Sequence, residues 1–303
     1  MTDEQIENKK TFRENFGKFH DKYYKHLLLI PIIMLLFSLG YIYVFYSNNG
    51  DFIYKDISLT GGTSATIYGD FDSAKIKADL SGELSNLNVR EIYDIITREK
   101  IAITLETGIS GSEAKEILEK YLGYKLNENN SSFEFSGALL GESFYSQLIL
   151  AILFAFFFMG VVVFLIFRKI VPASAVIISA FADILMTLVV VDFLGIKMSS
   201  AGIIAFLMLI GYSVDTDILL TNKVLKSNEG TLNQRIYKAF KTGMTMTLTS
   251  IIAVTISLVI SASFSSTLNQ IFTVLFIGLF FDIFNTWVTN ASLIKWYSKK
   301  DEH

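Results

Sequence analysis

The sequence predicts an α-helical polytopic membrane protein with six transmembrane helices and one small α+β domain of ferredoxin-like pattern between the first and second helices. Three observations predict it. Of the 303 residues, 51% are hydrophobic, and they gather in six runs of about 20 to 25 residues at 27–46, 144–167, 170–191, 198–220, 242–262 and 268–292. Each run is long enough to cross a bilayer of about 30 Å as a helix. Within the six runs the only acidic or basic side chains are Asp183, Asp215, Asp217 and Asp282. The remaining long stretch, 47–143, alternates strand and helix periodicities. A soluble globular fold is excluded.

In chain order, residues 1–26 form a mixed-charge N-terminal segment expected on the cytoplasmic side. The run at 27–46 ends in Tyr41, Tyr43, Phe45 and Tyr46 with no small-residue cleavage site, so it reads as a retained signal anchor. In 47–143, alternation at 64–68 predicts a strand. Apolar Ile76, Leu80, Leu84 and Leu87 then recur near a 3.6-residue period and predict a helix over 73–87. Strands follow at 89–96 and 100–106. A second amphipathic helix at 112–122 has Ala114, Ile117, Leu118 and Tyr121 on one face, and a last strand falls at 132–136. The order β-α-β-β-α-β is the split ferredoxin-like pattern. Residues 144–292 form a five-helix bundle and 293–303 a short tail.

Charge orients the chain. The segments 1–26, 168–169, 221–241 and 293–303 hold 16 of the Lys and Arg residues, whereas 47–143 holds 9 basic and 16 acidic ones. Lys and Arg flanking the spans mark cytoplasmic faces. Both termini are therefore expected inside the cell membrane and 47–143 outside. Cysteine is absent, which excludes disulfides, thiolate nucleophiles and sulfur-ligated metals. The three histidines, His20, His26 and His303, lie outside the apolar runs, so a proton relay within the membrane has only carboxylates to use.

Charged groups in membrane helices are costly and usually functional. No Lys or Arg lies in the six runs, so the four Asp must be protonated, hydrated, hydrogen-bonded, or balanced by a cation or a partner chain. Asp215 and Asp217 are two positions apart, about 200° around a helix, and cannot share a face. Asp215 lies one turn after Gly211, whose missing side chain leaves room for water, an ion or a close helix, and it is the favoured carrier. Asp217 and Asp183 complete the expected relay, with Asp282, Lys241 and Thr247 as support. The plainer alternative is that these groups only hold helices together by hydrogen bonds. For the Ser- and Thr-rich fifth run, close packing is the favoured reading; Lys241 serves first as a snorkelling anchor. The pair Gly61 and Gly62 suits a tight turn needing positive φ.

Four motifs carry a resemblance to a known family. Asp56-Ile-Ser-Leu-Thr-Gly-Gly-Thr63, with Asp56, Gly61, Gly62 and Thr63, is similar, apart from one extra residue between Asp56 and Gly61, to the Asp-x-x-x-Gly-Gly-Thr motif that opens the external domain of SecF, the smaller partner of SecD in the accessory complex of the Sec channel. Ala182-Asp183-Ile-Leu-Met-Thr-Leu188 resembles its third-span motif. Ile210-Gly-Tyr-Ser-Val-Asp-Thr-Asp-Ile218 resembles its fourth-span motif, and Leu232-Asn-Gln234 with Thr245-Met-Thr-Leu-Thr-Ser250 its next span. Bacterial members carry Asn-Asp where this chain has Asp215-Thr216-Asp217, and an Arg near Thr242. The Asp-Thr-Asp form and the run from Asp282 to Asn290 look like the archaeal branch.

The resemblance implies a membrane subunit rather than an enzyme, related to resistance-nodulation-division transporters. It implies a SecD-like partner, the Sec translocation channel, a translocating polypeptide and the lipid bilayer as partners, with no nucleic acid. No cofactor is implied beyond a coupling proton or sodium ion. Two other readings stay open: a structural or assembly subunit without ion coupling, and half of a small-molecule exporter of the same superfamily. An intramembrane aspartyl protease is disfavoured, since Tyr93-Asp94 lies in the α+β domain and Gly-x-Gly-Asp is absent.

Overall fold

The computed structural model describes residues 23–301 apart from 25, 95–96, 228–229 and 263–264. Most of the expected N-terminal segment, His20, His303 and residues 95–96 of the strand expected at 89–96 lie outside the described residues. Six helical stretches are long and apolar enough to cross a membrane. The first is α1 (Leu29–Asn49), which ends where Gly50 turns left-handed and donates its N–H to the Tyr46 carbonyl at 2.8 Å. A four-residue helix α2 (Ile57–Thr60) then leads into the α/β domain.

The domain contains β1 (Gly62–Tyr68), α3 (Ser73–Leu80), β2 (Asn88–Tyr93), β3 (Lys100–Thr107), α4 (Gly111–Leu122) and β4 (Ser131–Ser136). The antiparallel sheet has the order β2-β3-β1-β4, the ferredoxin-like arrangement the sequence predicts. Both helices cover one face. There Ile76, Leu80, Leu84 and Leu118 pack on Ala65, Ile67, Ile103 and Leu105. Helix α3 is shorter than the expected 73–87: its regular turns stop at Leu80, before Ser81 and Gly82, yet the following turns still bury Leu84. The opposite sheet face is polar. Ser64, Arg90, Glu106 and Glu134 look across open clefts, one of about 430 Å³, toward the ends of the long helices.

The long helices are α5 (Ala138–Phe167), α6 (Ile170–Phe193), α7 (Ser200–Lys226), α8 (Leu232–Ser261) and α9 (Ser266–Phe284). A π-helical turn (Asn285–Asn290) joins α9 to α10 (Ala291–Asp301) in one continuous rod. Helix α8 starts ten residues before the expected 242. Its start is set by a capping box, in which Thr231 accepts from the Gln234 N–H and the Gln234 side chain returns the bond, rather than by the apolar run. Helices α6, α7 and α9 form the centre of the bundle, α5 and α8 flank it, and α1 packs mainly on α6.

The motif opening the domain works as a joint. Asp56 caps α2 by accepting from the Ser58 N–H at 2.8 Å and its hydroxyl at 2.6 Å. Burial pushes the Asp56 carboxyl above its usual range, against those hydrogen bonds. Ser58 Oγ in turn accepts from the Ser200 N–H at 2.9 Å, at the start of α7. Beside it the chain pairs in parallel with the α6–α7 loop: Asp56 N–H donates to the Met198 carbonyl at 3.0 Å and Met198 N–H to the Tyr54 carbonyl at 2.6 Å. Gly61 and Gly62 have φ of 81° and 142°. A Cβ at Gly62 would collide with the Thr107 carbonyl, so close approach of β1 to β3 requires glycine there. Thr63 closes the joint by donating to the Ile109 carbonyl at 2.7 Å.

Candidate functional site

Three of the four intramembrane carboxylates meet in the bundle centre. Asp183 on α6, Asp217 on α7 and Asp282 on α9 are each wholly enclosed, at 0% exposure. Small and hydroxyl residues on the same faces, among them Ser179, Ala180 and Ala182 on α6 and Ser213 and Thr216 on α7, let the helices approach around them.

The partners of these carboxylates are neutral. Ser213 Oγ donates to Asp183 Oδ2 at 2.6 Å, and Asn285 Nδ2 donates to Asp183 Oδ1 at 2.7 Å. Thr289 supports Asn285 by donating to its Oδ1 at 3.0 Å. Asn290 Nδ2 donates to Asp217 Oδ1 at 2.8 Å, and Thr286 donates to Asp282 Oδ1 at 3.2 Å. Asp217 Oδ2, Asp282 Oδ2 and Asn290 Oδ1 are buried without a hydrogen-bond partner. Among the described residues, none of the three carboxylates forms an ion pair. Nor is any group of three or more acidic or imidazole side chains placed to hold a metal ion.

The π-turn supplies most of these donors. A wide turn of this kind is uncommon and concentrates at functional positions. Here it carries Asn285, Thr286, Thr289 and Asn290, all buried, so that one short segment reaches both α6 and α7. Trp287 in the same turn packs edge-on against Phe240 of α8, with ring centres 5.1 Å apart. Gly243 gives it room, since a side chain there would strike the indole ring.

The remaining sequence candidates fall elsewhere. Asp215 is exposed on the opposite face of α7, in a stripe with Ile204, Met208 and Gly211. Beyond the backbone of α7 itself and the two adjoining residues, no atom lies within 4 Å of where a Gly211 Cβ would stand. Next to this stripe, Thr245 and Thr249 of α8 are exposed, and Tyr212 joins the two helices through Ser250 Oγ and the Met246 carbonyl. Thr247 is wholly buried and its hydroxyl has no hydrogen-bond partner. Lys241 is exposed and makes no ion pair with Asp215 or Asp217. Asp56, Gly61, Gly62 and Thr63 build the joint, far along the chain from the carboxylates.

Sequence reasoning assigned no role to Ser213, Asn285, Asn290 or Asp192. The signal for the two asparagines was available: amides in an apolar run, three and eight residues after Asp282. Asp192 stands one residue beyond the run that ends at Val191, where the eye reads a loop, but α6 continues to Phe193.

Chemically, three carboxylates facing only neutral donors in an enclosed core must each be neutral or have a counter-ion. Hydroxyl and amide partners hold the side chains in place in either state.

A family model described as "Protein export membrane protein SecD/SecF, C-terminal" matches residues 116–300. The chain is 39% identical over 283 residues to the protein-export membrane protein SecF of Methanocaldococcus jannaschii, covering 91% of this chain and 96% of that one. It is 35% identical to the SecF of Haloquadratum walsbyi, with 90% and 92% covered, and 32% identical to that of Pyrococcus furiosus, with 92% of each covered. Among solved structures it is similar to SecDF, a translocon-associated membrane protein from Thermus thermophilus, at a TM-score of 0.71 and 15% identity, covering 92% of this chain and 38% of that one. A super-membrane-facing form of SecDF matches with a TM-score of 0.51, 16% identity, and 93% and 39% covered. The likeness in fold thus spans well under half of each SecDF chain.

Proposed function

This chain belongs to the SecF family of protein-export membrane proteins, and we propose that it serves the Sec translocation machinery as an accessory subunit paired with a SecD-like protein. In this reading it promotes polypeptide export across the cytoplasmic membrane, driven by a proton or sodium gradient through its intramembrane carboxylates. The observation that carries the ion-coupled part is the enclosed Asp183, Asp217 and Asp282 set with neutral donors only. A purely structural core has no need of three carboxylates where amides and hydroxyls would serve.

The orientation rests on the Lys and Arg distribution, with both termini cytoplasmic and residues 47–143 outside. The joint at Asp56, Ser58 and Ser200 then gives the coupling a route, because α7 carries Asp217 at one point and is bonded to the base of the domain at its start. A change in charge among α6, α7 and α9 that shifts α7 reaches the domain through those bonds. One elementary charge moving through 100 mV supplies about 2.3 kcal/mol, enough to bias such an equilibrium about 50-fold per cycle. The partner supplies the second half of the pathway. Asp215 lies on an outward face at membrane depth, where lipid contact is costly, so the stripe Ile204, Met208, Gly211 and Asp215 faces the SecD-like subunit.

Sealed vesicles holding the complete export machinery, with this chain unaltered or as Asp183→Asn, test the reading. Export is measured without a gradient, with a proton gradient and with a sodium gradient. Asp183→Asn is expected to remain assembled with its partner and to lose the gradient-dependent part of export. Equal gradient stimulation of both would leave a structural subunit as the better account.

A further inference from the structure

Asp192 belongs to neither the carboxylate set nor the joint. It lies in the last turn of α6, at the end of the bundle nearest the domain, nine residues from Asp183. Nine residues span about 13.5 Å of helix and half a revolution, so the two side chains leave α6 at different heights and on opposite faces. Asp192 is 3% exposed, and neither carboxylate oxygen has a hydrogen-bond partner. Two further features of the position oppose a negative charge. The carboxylate stands at a helix C-terminus, whose dipole disfavours anions. Its charged neighbour is the carboxylate of Asp51, which already holds Lys55 in an ion pair of 2.6 Å and accepts a hydrogen bond from Tyr145.

We propose that Asp192 is a second proton-binding site, at the domain end of the bundle and separate from the central carboxylates. The titratable groups electrostatically linked to it are Tyr41 on α1, Asp51 in the segment after α1, itself paired with Lys55, and Tyr145 on α5. Lys55 also lies over the Tyr145 ring, 4.5 Å from its centre. These contacts clasp the segment after α1 to α5, and they are compatible with a neutral Asp192. An ionised Asp192 would repel the Asp51 carboxylate that holds Lys55 and Tyr145, loosening the clasp. The clasp thereby reads the proton concentration on the side of the membrane where the domain lies. The step is a simple protonation: a proton from solvent adds to one carboxylate oxygen and leaves again when the surroundings become alkaline.

The full-length chain in phospholipid nanodiscs, unaltered and as Asp192→Asn, tests this by infrared difference spectroscopy at neutral and alkaline pH. The subtraction isolates Asp192 from the central carboxylates, so the result does not depend on gradient-driven export. The expected result is loss, in Asp192→Asn at neutral pH, of a protonated-carboxyl C=O band that the unaltered chain itself loses when made alkaline. Loss of ionised-carboxylate bands only, at neutral pH, would overturn the proposal. Should Asp192→Asn fail to fold, dicyclohexylcarbodiimide labelling of the unaltered chain followed by peptide mapping decides. An adduct on Asp192 at neutral pH that disappears at alkaline pH supports the site, and absence of an adduct at both overturns it.

Discussion

The α/β domain and the membrane bundle treat charge in opposite ways. The domain keeps an apolar core of Ile67, Ile103, Leu105 and Leu118 and sends its charges to the surface or to the cleft face. There they meet opposite charges: Lys100 and Glu91 at 2.7 Å, Arg90 and Glu106 at 3.3 Å. The bundle does the reverse. Its outer faces are apolar, for example Phe157 and Leu165 on α5, while its centre holds three carboxylates with no ion pair. Water makes surface ion pairs inexpensive and buried charge costly, so a domain in water has no reason to enclose a carboxylate without a use for it. In lipid, the interior of the bundle keeps a carboxylate out of hydrocarbon, and enclosing one is a means of holding it at membrane depth.

The comparison breaks first at the domain core. Leu80→Asp places an unpaired charge where Leu80 is 3% exposed, and a loss of about 4 kcal/mol or more is expected. Limited proteolysis of the full-length chain should then cut within residues 47–143. The long helices should still insert, because their backbone hydrogen bonds are internal. Uncut protein would mean that α3 does not bury this face.

A smaller effect is expected in the bundle. Asp183→Ala strands the Ser213 hydroxyl and the Asn285 amide, at a cost of about 1–3 kcal/mol. Asp183→Asn should restore most of that stability without restoring an ionisable group. A thermal melt in micelles separates the two variants. The joint comes next: Asp56→Ala removes the cap on α2, for a loss of about 1 kcal/mol read in the same melt.

The smallest effect is on the domain surface. Hydrogen bonds from Lys100, then Tyr93 and Ser73, hold the Glu91 carboxyl down at about 2, below its ordinary 4.5. A depressed carboxyl stabilises the fold above its unfolded value and loses that contribution as pH falls through the folded one. Glu91 should therefore add a slight acid sensitivity between about 4.5 and about 2, weakened by salt because the group is open to solvent. Glu91→Gln should remove it.

How much of this the sequence reveals differs between the same two regions. In the domain, period-2 and period-3.6 patterns name the strands and helices directly, because one face is wet and the other dry. Two ends depart: β2 stops at Tyr93 rather than at 96, and Ser81 and Gly82 stop α3 although Leu84 keeps the periodic position. In the bundle, hydrophobicity finds the spans but not their faces, since lipid-facing and core-facing residues are both apolar. That is why Asp215 and Asp217 are separable by angle but not assignable to inside or outside from sequence. Apolar runs also end too early. Arg235, Lys238 and Lys241 hide the first ten residues of α8, and Asp192 hides the last two of α6. The π-turn leaves no periodic trace, so the partnership of Asn285 with Asp183 emerges only in three dimensions.

If the carboxylates held by neutral donors inside the bundle are the ion-linked ones, Asp217→Asn and Asp215→Asn should differ in gradient-driven export by vesicles containing the assembled complex. Asp217→Asn should stay bound to its SecD-like partner and lose the gradient-dependent part of export, while any loss in Asp215→Asn should accompany weaker recovery of the partner. Full gradient stimulation with Asp217→Asn, together with its loss in a fully assembled Asp215→Asn complex, would contradict that assignment.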